Sequence, residues 1–108
     1  MAVSRGSSLM PSYAKLHATV ENDGVPWLEI VNSSGSEARR ISLQLTCDGQ
    51  DMSHLLREAV PKRIAARSLA TLKLAPVPES IDVEVALTWD DEEGIPGVWL
   101  GSVRVLSP

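Results

Sequence analysis

The C-terminal quarter of the chain alternates as only a paired, half-buried strand tolerates. Ile81–Trp89 places Val83, Val85 and Leu87 at every second position, the period that collects side chains on one face of a strand. Val98–Leu106 repeats the pattern after the turn-rich Asp90-Asp-Glu-Glu-Gly-Ile-Pro-Gly97. Folding the arms about Gly94 predicts Val83 opposite Val105, Val85 opposite Val103, Leu87 opposite Gly101 and Trp89 opposite Trp99. On the other face it sets Glu84 beside Arg104. A slip of one residue would bring Val83 against Arg104 and lose the charge pair. Such a hairpin commits its surroundings to an antiparallel sheet with one dry side.

With 108 residues the chain has the length of one domain and buries roughly two thirds of its unfolded surface. No apolar run approaches the ~20 residues a bilayer demands, so no membrane insertion is expected. Residues 1–12 hold an arginine but no apolar signal-peptide core. They read as a flexible arm ahead of a folded unit spanning 13–106. Cys47 is the only cysteine, which excludes a disulfide-stapled secreted fold and favours the cytoplasm for a full-length chain, a piece of a larger exported chain being the alternative. A formal net charge of −4 argues against nucleic acid and anionic membrane as partners. The charges are uneven. Arg39-Arg40 and Arg57, Lys62, Arg63, Arg67 are basic and Asp90–Glu93 is acidic, a mixed polar surface or a charged docking face.

Further strands precede the hairpin. Tyr13–Val20 alternates with Ala14, Leu16, Ala18 and Val20 on one side, and Glu21-Asn-Asp-Gly24 supplies a reversal. Pro26, lacking an N–H, should begin the next strand, Trp27–Asn32. Either Leu28 and Ile30 or Trp27 and Val31 face inward there. Arg39–Cys47 points Ile41, Leu43, Leu45 and Cys47 inward and ends at the turn pair Asp48-Gly49. Between Asp51 and Glu58 the period changes, and Met52, Leu55, Leu56 and Ala59 fall at helical spacing. That predicts a turn or two of helix capped by Asp51 or Ser53 and bridging two sheets. Lys62–Ala66, pinned by Ile64, and Ser68–Leu74 are the remaining strands. About seven short strands and one helical turn make an all-β, antiparallel two-sheet sandwich.

Leu28-Glu-Ile-Val-Asn-Ser-Ser-Gly-Ser-Glu-Ala-Arg-Arg-Ile41 resembles the strand-loop-strand segment of bacterial immunoglobulin-like and fibronectin-III-like modules. Ile64–Leu74 is similar to their later turn and strand, with Arg67-Ser68 where Pro-Gly is common. Val85–Asp91 and Val103–Val105 are similar to the closing hairpin. The resemblance covers residues 13–106 and implies an immunoglobulin-like sandwich serving as a spacer or protein-docking unit. The cysteine pair of antibody-type domains is missing.

Chemistry-bearing patterns are sparse. The acidic run Asp90–Glu93 departs from the spread ligand set of a calcium loop and reads as a solvated hairpin tip. His17 and His54 have no ligand partner at metal spacing, so neither metal nor cofactor is expected. No Gly-x-Ser-x-Gly elbow or phosphate-cradling loop occurs, and no catalytic residue is assigned. The expected role is a non-catalytic interaction or structural module. It would recognise a protein partner, or another copy of itself, through a strand edge or loop end. Trp27, Arg63 and Arg67 are the candidate contact residues, Trp27 being expected in the open beside Pro26. One alternative is a carbohydrate- or ligand-binding sandwich, which needs Trp27 with Tyr13, or Trp89 with Trp99, exposed side by side. A small hydrolase would need His54 in a pocket beside a Ser, Cys47 or a carboxylate.

Overall fold

The structure, a computed structural model, describes residues 11–108. Eight strands run in the order β1 (Leu16–Asp23), β2 (Val25–Asn32), β3 (Ala38–Cys47), β4 (Gln50–Asp51), β5 (Arg63–Ile64), β6 (Leu69–Lys73), β7 (Ile81–Asp90) and β8 (Pro96–Val105). They form two antiparallel sheets. One has the order β1-β2-β6; the other runs β4-β3-β7-β8, with β5 also pairing β3. The expected all-β sandwich is therefore present. No helix among the described residues is long and apolar enough to cross a membrane.

The core is what the alternation foretold. Leu16, Ala18, Leu28, Ile30 and Leu72 of one sheet meet Ile41, Leu45, Val83, Val85, Leu87 and Val105 of the other, all buried. Leu28 and Ile30 settle the face of β2, and Trp27 and Val31 lie on the outer side. Pro26 is the second residue of β2 instead of its first, and its carbonyl accepts the Leu74 N–H just past β6. In β3 a bulge separates Arg39 from Ser42, with Arg40 in the left-handed region (φ +51). The extra residue lets both Ala38 and Ile41 face inward. Asp48 (φ +51) and Gly49 (φ +80) form the two-residue reversal into β4, as the right-handed twist of paired strands demands.

The expected short helical turn is present, and the expected hairpin register is corrected. The helical spacing after Asp51 yields a single 3-10 turn, Ser53–Leu55. Neither Asp51 nor Ser53 is its N-cap: Met52 holds that place without a side-chain bond, and Asp51 ahead of it takes the Ser53 N–H on Oδ1 and the Ser53 hydroxyl on Oδ2. The turn stops because Leu56 goes extended and bridges to Leu74, while the Arg57 N–H donates to Lys73 and the Ala75 N–H to Leu55. Pairing with the other sheet outweighs a short local helix.

The hairpin register is also shifted, by two residues. Val83 faces Val103, Val85 faces Gly101, Leu87 faces Trp99 and Trp89 faces Gly97, with Asp82 beside Arg104. The chain turns over Glu92-Glu93-Gly94, where the Gly94 N–H donates to Asp91 and Gly94 takes φ +81. An Asp-x-x-Gly turn followed by a left-handed glycine is a preferred three-residue hairpin loop. The pivot is thus residue 93.

Candidate interaction surface

Two polar hubs organise the end of the sandwich where β2, β5 and β7 leave their sheets. Asn32 closes β2 with its side chain turned inward. Its amide is shared among the carbonyls of Ser36 (2.8 Å), Ile64 (3.1 Å) and Ala65 (3.2 Å). Its oxygen accepts the Ser34 N–H and hydroxyl. One residue thereby ties the β2–β3 loop to β5. Asp91 does the same for the β7–β8 turn. Oδ1 takes the N–H groups of Glu93 and Ile95, and Oδ2 takes that of Tyr13, bringing in the chain ahead of β1.

Burial pushes the Asp91 carboxyl up, but the main-chain donors of Tyr13, Ile95 and Glu93 together outweigh it and hold it below its ordinary value. A carboxyl lowered on folding stabilises above its unfolded pKa, and that stability is lost as pH falls through the folded value. Asp91→Asn is therefore expected to lower the unfolding midpoint by several degrees at neutral pH. The gap should close below the ordinary aspartate range; an equal gap at every pH counts against this account.

Around the hubs the charges pair. Arg39 donates to Glu37 at 2.8 Å, and Arg63 reaches the same carboxylate at 3.9 Å. The hydrogen bond to Glu37 raises the Arg39 pKa against some desolvation, helped by the charges of Glu37 and Glu92. Arg40 lies 3.7 Å from Asp90.

The second surface is the outer edge of β8. At its far end Asn22 of β1 donates to the Arg104 carbonyl and accepts the Leu106 N–H. Main-chain groups at Arg104 therefore point away from β7. By the alternation of an antiparallel ladder those of Ser102, Leu100 and Val98 do too. Their side chains stand on the outer face of the sheet, Val98 63% and Leu100 73% exposed, beside a shallow hollow over Ala86 and Gly101. Toward the start of β8 the strand parts from β1. There a groove of about 440 Å³ opens, lined by Trp99, Val98, Gly97, Lys15, Leu16 and His17 among others.

No family model, curated protein or solved structure matches this chain.

The structure separates the sequence-selected residues. Arg63 and Arg67 belong to the looped end: Arg67 is left-handed (φ +55), donates its N–H to Ser34 and lays its guanidinium against Gly35. Trp27 sits near the opposite end of the other sheet, half-buried in a row between Glu21 and Lys73. The expectation of an open Trp27 is corrected: its cross-strand neighbours cover it.

The tryptophans form no shared exposed platform. Trp89 is 5% exposed and its indole N–H donates to the Ala14 carbonyl (2.9 Å) and Ser12 Oγ (3.2 Å). Tyr13 and Trp27 stand apart: Trp27 pairs with Glu21 of β1, whereas Tyr13 lies in a bend before β1 begins, with its N–H on Asp91. Residues 1–10 of the N-terminal arm lie outside the described residues. Ser12, its last residue, is buried. His54 is exposed on the 3-10 turn, and Cys47 is half-buried at the end of β3.

Proposed function

We propose that this chain is a non-catalytic interaction module of the immunoglobulin-like kind, binding a partner by adding a strand to β8. The order β1-β2-β6 against β4-β3-β7-β8 supports that kinship, since immunoglobulin-type sandwiches stack two such Greek-key sheets with a closing hairpin. The observation that carries the reading is the main-chain edge Val98–Ser102, turned outward and flanked by two exposed apolar side chains. Main-chain bonds would supply affinity, and the hollow beside Leu100 selectivity.

Selection of extended peptides from a displayed library tests it, using the wild type and Leu100→Pro. Proline at 100 removes an outward donor and leaves the bonds to β7 in place. Peptides recovered by the wild type and lost by the variant are expected. Substituting Arg63 and Arg67 by alanine should leave recovery unchanged. No peptide on the wild type, or a pool that depends on the arginines and ignores Leu100→Pro, overturns the edge.

A further inference from the structure

We propose that β8 pairs with β8 of a second copy of this chain, antiparallel, across a two-fold axis at Trp99. This rests on the edge reading above and names its partner. Of the other edges, that of β1 meets the end of β8 through Asn22, and those of β6 and β3 are covered in part. Segment Leu56–Glu58 covers the Lys73 end of β6, bonding Lys73 through the Arg57 N–H and the Glu58 carboxylate. Strands β4 and β5 cover the two ends of β3, and its bulge lies between them. Natural edges are blunted by such covers, or by charge, proline or a bulge. From Val98 to Ser102, β8 has none of these.

The ladder restricts how two copies can meet. Val98, Leu100 and Ser102 present the outward groups, so only even-numbered residues bond across the joint. With the axis at Trp99, Val98 exchanges both main-chain bonds with the partner's Leu100. Ser102 donates to the carbonyl of the partner's Pro96, whose missing N–H removes one bond. On the outer face the two most exposed large apolar side chains among the described residues cover each other. On the inner face Trp99, half-buried in its groove, meets the partner's Trp99.

Charge favours the same register. Arg104, paired with Asp82 at 3.0 Å in its own chain, arrives opposite the partner's Gly94, next to the acidic turn Asp90–Glu93. A strand basic at one end and acidic at the other complements itself only when antiparallel. Moving the axis to Leu100 sets Val98 against Ser102 and carries Arg104 to Pro96, losing both matches.

Sedimentation of the full chain from about 1 μM to about 1 mM, the range of weak transient contacts, is the test. The wild type should pass from monomer to dimer with a shift in tryptophan emission. Leu100→Pro should stay monomeric, and Arg104→Glu should weaken the dimer about tenfold by facing the acidic turn. Should Leu100→Pro fail to fold, Arg104→Glu decides: a weakened dimer upholds the joint and an unchanged one overturns it. A wild type monomeric throughout overturns the second copy alone, and the edge reading is then judged by the peptide selection. A dimer indifferent to both substitutions uses another face and overturns the joint.

Discussion

Replacing Asn32 with alanine should destabilise the fold by about 3 kcal/mol, a fall in unfolding midpoint of roughly 15 °C. The side chain is 1% exposed, and its removal strands the buried Ile64 carbonyl and leaves that of Ser36 with the Ser34 hydroxyl alone. Each orphaned group costs about 1–3 kcal/mol. Water can reach the Ala65 and Ser34 contacts, which are only part-buried, so they add less.

Aspartate, nearly the same shape, should do worse at neutral pH. Its second oxygen would confront three carbonyl oxygens where an amide now donates, an unpaired buried charge costing about 3–5 kcal/mol. Protonation relieves that conflict and restores one donor. The aspartate deficit should therefore shrink between about pH 7 and about pH 4, while the alanine deficit stays constant. Thermal unfolding of the three proteins at both pH values is the check. Equal losses for the two variants, or an aspartate deficit that ignores pH, would remove Asn32 from its place as the clamp.

The inward faces were legible in the sequence because period two is a strong signal, and Val83, Val85, Val103 and Val105 are inside as expected. The register was not, for a reason built into that same signal. A shift of two residues leaves every side chain on its face, so alternation rejects odd slips and is blind to even ones. What chose between the even registers was turn chemistry, the Asp91-x-x-Gly94 spacing, together with room for an indole over Gly97.

The helical turn was legible but not its length, because helical spacing in eight residues cannot report a strand bond offered from the other sheet. Trp27 was placed in the open because the pairing of β2 with β6, which sets Lys73 beside it, is invisible in sequence. The β8 edge had a signal that went unused. Val98-Trp99-Leu100 is apolar on both faces, which a strand with one wet side should not be. Only topology tells that this strand lies at the margin with its main chain free.

Gly97→Ala should cost about 2–3 kcal/mol while Gly101→Ala costs about 1 kcal/mol or less, although both glycines lie under tryptophans. A Cβ at 97 would overlap Cε2 and Nε1 of Trp89, and one at 101 would overlap Cη2 of Trp99. Distance alone predicts equal harm; the freedom of each ring predicts otherwise. Trp89 is buried and hydrogen-bonded to Ala14 and Ser12, so displacing it breaks the contact that closes the chain over the core. Overpacking of about 1–3 kcal/mol is joined by about 1 kcal/mol of lost hydrogen bonding. Trp99 approaches Gly101 by the outer rim of a half-buried ring beside an open groove. It can swing away, and the strand gains the roughly 0.5–1 kcal/mol by which alanine outdoes glycine within regular structure. Thermal unfolding ranks the two variants, and near-ultraviolet dichroism reports which indole has moved. Trp89→Phe, with its smaller ring, should recover part of the Gly97→Ala loss in a double-mutant cycle and none of the Gly101→Ala loss. Equal destabilisation by both alanines, or no coupling between positions 89 and 97, would mean that Trp89 does not hold the register of the hairpin.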